Sequence, residues 1–142
     1  MGHAIKKASV VAFYNHPEGV KLSVRKLKKY GFDIKKLSMA GKRYYPCSSL
    51  FMISGLGPIG VSSPLVGAIV RGFGGGIYLR GLNALREGLC SIGIPKESVF
   101  RYESALKNGF CLVCARGPVD KMAEVKRVLA SSKAIEIAVH YQ

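Results

Sequence analysis

The chain has 142 residues, enough for one domain around one core, and its 49% hydrophobic content excludes a disordered segment. Twenty-two Lys and Arg against eight Asp and Glu leave a net charge of +14, which points to an anionic partner, a membrane surface or a nucleic acid. A secretory signal is not expected, because Lys6 and Lys7 precede only the short apolar run from Ala8 to Tyr14, so the expected location is cytoplasmic.

ASVVAFY, residues 8–14, is continuously apolar and rich in β-branched and aromatic side chains, which predicts a strand buried on both faces. In NHPEG, Asn15 is placed to cap a helix, Pro17 suits its first turn, and Glu18 stands where a capping box puts its acid. That helix is expected to reach Tyr30 and stop at Gly31. Val20, Val24 and Leu27 give it an apolar stripe; Lys21, Arg25, Lys28 and the adjacent Lys29 give it a basic one, the candidate contact with an anionic surface. DIKKLSMAG, residues 33–41, alternates and predicts an edge strand. Eleven of the cations, against Glu18 and Asp33 alone, fall within residues 1–43.

No residue from Tyr44 to Val70 is charged, a run of 27 positions. A membrane span needs about 20. Pro58 and Pro64 oppose a single straight helix, and GLGPIG and SSP read as turns. The expectation is a glycine-rich apolar helical hairpin inserted over residues 44–92. Gly55, Gly57 and Pro58 would form its turn, and Pro64 would open a second arm running to Cys90. Gly67, Gly72 and Gly76 lie in that arm, and Gly72 and Gly76, four apart, would let two backbones approach. Tyr44 and Tyr45 would mark an interface level, while Arg71, Arg80 and Arg86 argue against deep immersion in lipid. Such a hairpin carries more apolar surface than one copy can cover. It is therefore expected to meet a membrane or further copies of the chain, as a homo-oligomer; the alternative is that it folds back as ordinary core.

Residues 94–109 predict a helix opened by Pro95, lined by Val99, Tyr102 and Leu106, and closed by Gly109. Within it, Glu103 is expected to pair with Arg101 or Lys107. FCLVCA predicts a second buried strand. Its Cys111 and Cys114 have redox-motif spacing, but residues three apart on a strand face opposite sides, so both read as small buried hydrophobes. A helix over 117–132 presents Met122, Val125 and Leu129, and 135–141 alternates with Ile135, Ile137, Val139 and Tyr141 inward.

Two strand–helix–strand units predict an α+β, ferredoxin-like βαβ…βαβ fold, as a single domain over 1–142 interrupted by the hairpin. Helices are expected on one sheet face, with the first strand of each unit central and the second at an edge. His3, His16 and His140 are scattered, so no metal site and no cofactor is expected, and GFGGG lacks the strand and acid of a dinucleotide fingerprint. Without an evident carboxylate pair or nucleophile–base pair, the chain reads as a non-enzyme. The alternative reading is a basic nucleic-acid-binding module, for which Phe13 and Phe110 are the only stacking candidates on the central strands. A sensor binding a small molecule between subunits is a third reading, with no ligand named by the sequence.

GLGPIGVSSPLVGA, residues 55–68, and GIPKESVFRYESALKNG, residues 93–109, carry a resemblance. Together with residues 7–42 they resemble a family of bacterial general (heat-induced) stress proteins, glycine-rich and membrane or permease-like, of unknown function. The likeness spans about residues 7 to 140. It implies stress-linked, intracellular, non-enzymatic behaviour, and brings no catalytic residues.

Overall fold

The computed structural model describes residues 6–42, 49–53, 55–62, 79–80 and 82–142. In chain order these form β1 (Lys7–Tyr14), α1 (Pro17–Lys29), a 3₁₀ turn (Ile34–Lys36), β2 (Ser38–Gly41), β3 (Ser49–Ile53), β4 (Gly57–Ser62) and β5 (Leu79–Arg80). Then come α2 (Leu82–Ser91), α3 (Lys96–Lys107), β6 (Cys111–Pro118), α4 (Val119–Ala130) and β7 (Glu136–Tyr141). The fold is mixed α+β. One sheet has the order β5-β3-β4-β2-β6-β1-β7, antiparallel throughout except where β5 runs parallel to β3.

Helix α1 starts as proline at a first turn predicts, but its cap is His16 rather than Asn15. The His16 Nδ1 accepts the Glu18 backbone N–H at 3.2 Å. Tyr30 ends the helix and Gly31 follows at φ +84°, a conformation glycine adopts without steric cost. The expected edge strand over 33–41 is corrected in two ways. Asp33 Oδ1 accepts the Lys35 N–H at 3.0 Å and winds residues 34–36 into a 3₁₀ turn, leaving only Ser38–Gly41 extended. That strand is interior, held between β6 and β4.

The central strands explain their own composition. Ala8, Val10, Ala12 and Tyr14 of β1 pack with Val20 and Leu27 of α1 and with Met122, Val125 and Leu129 of α4. Their alternates, Val11 and Phe13, face the other way, toward Leu89 of α2 and Val99, Tyr102 and Leu106 of α3. Helices therefore cover both sheet faces, not one. The insertion supplies the second layer.

The helical hairpin is overturned where it can be seen. Strands β3 and β4 pair as a β-hairpin, with Gly55 in the connection and Gly57 at the first position of β4, both at φ +88°. Phe51 and Ile53 alternate inward, as do Ile59 and Val61, while Met52 and Pro58 point out. Pro58 lacks a backbone N–H, and its place near the start of β4 leaves most of the ladder intact. The predicted second arm is also divided: Leu79–Arg80 is a strand and Leu82–Ser91 a separate helix. Pro64, Gly67, Gly72 and Gly76 lie outside the described residues. Among the described residues, no helix is long and apolar enough to cross a membrane.

Candidate anion-binding surface

Helices α1 and α4 lie side by side on one sheet face and share one apolar cluster. Burial of Val20, Ser23 and Leu27 turns the remaining positions of α1 to solvent, and Lys21, Arg25, Lys28 and Lys29 are all exposed. Lys21 is within 3.5 Å of Glu18, one turn back, an exposed pair worth little. Arg25, Lys28 and Lys29 have no ion-pair partner among the described residues. Lys35 and Lys36 extend the basic surface from the 3₁₀ turn, and α4 adds the exposed Lys121, Lys126 and Arg127, offset in part by the exposed Asp120 and Glu124. Packing thus gathers cations from two segments about a hundred residues apart in sequence.

Lys26 is the member of this run that does something else. Its Nζ donates to the Ser131 carbonyl at 2.6 Å and to Ser131 Oγ at 3.2 Å, tying α1 to the end of α4. Sequence spacing gave no sign of that bond. Tyr30 is 71% exposed at the end of the same helix, next to Lys28 and Lys29. It adds an amphipathic ring at the rim of the basic surface.

The opposite sheet face is closed. Phe13, a candidate base-stacking platform, is 5% exposed, and the Tyr102 ring of α3 lies on it with centroids 5.0 Å apart. Phe110 is half-buried just before β6. Helix α3 therefore removes the sheet surface that stacking on nucleic acid requires. Glu103 of α3 turns out to bind neither Arg101 nor Lys107. Its carboxylate accepts two bonds from Arg86 of α2, at 2.7 and 3.0 Å, and joins the two inserted helices. Arg101 instead pairs with Glu136 of β7.

Cys111 and Cys114 diverge as the strand period requires, one under α1 and α4, the other under α2 and α3. Burial pushes both thiols up, Cys114 to about 12, so both are protonated at neutral pH. Among the described residues, no three His, Cys, Asp or Glu side chains are grouped to hold a metal ion.

The Tyr102 hydroxyl is hydrogen-bonded to His140 Nε2, linking α3 to β7. Burial pushes the Tyr102 phenol up to about 12. Burial, then the charge of Arg101, holds His140 below its ordinary value of 6.5, opposed in part by Glu97. An imidazole of the unfolded chain takes its proton first as pH falls. The contribution of His140 to stability is thus complete above pH 6.5 and declines as pH drops toward the folded-state value. The melting temperature should fall between about pH 7.5 and about pH 5.5, and His140→Asn should flatten that slope. An unchanged slope in the variant would remove the assignment.

Comparison with family models, curated proteins and solved structures finds no match to this chain.

Proposed function

We propose that this is a non-enzymatic, self-assembling protein that binds anionic membrane surfaces from the cytoplasmic side through the basic face of α1 and α4. The body that presents this face is read as a ferredoxin-like unit, the two strand–helix–strand segments interleaving as β2-β6-β1-β7, with β3, β4, β5, α2 and α3 adding strands and a second helical layer. The observation that carries the reading is the exposed set Arg25, Lys28 and Lys29, without ion-pair partners among the described residues, beside the cations of α4. The set is weighted to lysine, a point charge suited to diffuse anionic headgroups, and Tyr30 stands where an interfacial ring would. The resemblance to bacterial general stress proteins supports a stress-linked role.

Association is peripheral in this reading, since Phe51, Ile53, Leu56, Ile59 and Val61 are buried in the core. Each cation near an anionic surface contributes on the order of 1 kcal/mol. Replacing Arg25, Lys28 and Lys29 by Glu should therefore weaken binding to phosphatidylserine-containing vesicles by about a hundredfold or more in co-sedimentation, with no binding to neutral vesicles. Equal binding of the variant, or equal binding to neutral vesicles, would defeat the proposal. The nucleic-acid alternative now rests on phosphate contacts alone, and single-stranded RNA is expected not to compete with the vesicles.

A further inference from the structure

The two edges of the sheet differ. One is β5, two residues long and ending in Arg80. The other is β7, six residues from Glu136 to Tyr141, and among the described residues no strand lies on its outer side. Exposed edges are normally blunted by lysine, proline or a bulge. Residues 134–142 contain no Lys, Arg or Pro, in a chain of net charge +14. The single acid there, Glu136, is neutralised by Arg101 of the same copy. Along this rim two copies can approach without lysine meeting lysine.

We propose that β7 is the self-assembly interface: two copies pair antiparallel, β7 to β7, and join their sheets across a two-fold axis. The proposal deepens the self-assembly part of the function proposed above and rests on it. Side-chain rows match themselves. Ile137 and Val139 are half-buried against the α4 layer, and Tyr141, in the same row, is 71% exposed. Directly opposed residues of an antiparallel pair share a face, so the axis of a six-residue strand must pass through one residue, Val139 or Ala138. Through Val139, each Tyr141 lies against Ile137 of the second copy, an aromatic–β-branched pair formed twice. Pairing covers the Tyr141 ring and satisfies the free backbone groups of the edge.

The test uses the full chain with Cys90→Ser, which removes an exposed thiol. Val139→Cys and Ala138→Cys are then oxidised separately, because a residue on the axis faces its own copy within disulfide reach. Cross-linking at either position, absent from the Cys90→Ser parent, supports the pairing and fixes its axis. Tyr141→Asp, at an exposed site, should raise the dimer dissociation constant by about tenfold in sedimentation equilibrium while leaving the far-UV circular dichroism unchanged. A dimer that forms normally in Tyr141→Asp and cross-links at neither position overturns this interface but leaves assembly through another surface. A wild-type chain that stays monomeric at every concentration overturns both.

Discussion

Phe51→Ala should cost about 3–5 kcal/mol in urea unfolding without detergent, a large part of the total stability of a small domain. Phe51 is fully buried in the cluster that joins β3 and β4 to α2 and α3. Removing its ring leaves a cavity that neighbours on two sides cannot close, because a sheet and a helical layer both hold their spacing. Met52 provides the control. It follows directly in the chain, points away from that cluster and is 46% exposed, so Met52→Ala should cost about 0.5 kcal/mol or less. The comparison separates two uses of the charge-free segment. A lipid-facing or subunit-facing Phe51 would contribute nothing to the stability of a monomer in buffer. Equal effects of the two substitutions would show that residues 51–62 are not core.

Much of the fold was legible because its signals were local and redundant. From Ala8 to Tyr14, β1 is apolar at every position but Ser9 and lies between two covered faces; α3 has Pro95 before it, Gly109 after it, and Val99, Tyr102 and Leu106 at helical spacing, all buried. The insertion departs from its expected helical form because two signals in it compete. Its 27 uncharged positions suggested a membrane-length unit, yet Phe51 and Ile53, then Ile59 and Val61, already alternated at the period of a strand around a glycine-rich turn. An uncharged run also suits a sheet that is buried by helices lying further along the chain. The basic stripe of α1 could be placed from spacing alone, since the apolar positions fix which residues face out. Its union with the α4 cations could not, nor could the Arg86–Glu103 and Arg101–Glu136 pairs, because tertiary packing alone brings these residues together.

Gly93→Ala should cost about 3 kcal/mol, well above Gly109→Ala. Both glycines have a left-handed backbone, φ +97° at Gly93 and +89° at Gly109. That conformation costs an alanine about 1–2 kcal/mol at either site. Around Gly109 nothing lies within 4 Å of an added Cβ, so the backbone penalty is the whole effect. At Gly93 the Cβ would fall 2.2 Å from Ser9 Oγ, with Gln142 Oε1 at 3.1 Å and Arg116 Nε at 3.2 Å. These three side chains fasten the α2–α3 turn to the sheet: Ser9 Oγ donates to the Ile92 carbonyl at 2.9 Å, Arg116 to the Ser91 carbonyl at 3.2 Å, and Gln142 to the Gly93 carbonyl at 3.1 Å. Displacing the buried Ser9 hydroxyl leaves the Ile92 carbonyl unpaired, a further loss of about 1–3 kcal/mol. Ser9→Ala removes the clashing oxygen in advance. The double variant should therefore lose less than the two single losses added, a coupling of at least about 0.5 kcal/mol in a mutant cycle. Strict additivity, or equal costs at Gly93 and Gly109, would mean that the inserted helical layer is not pinned to the sheet at this turn.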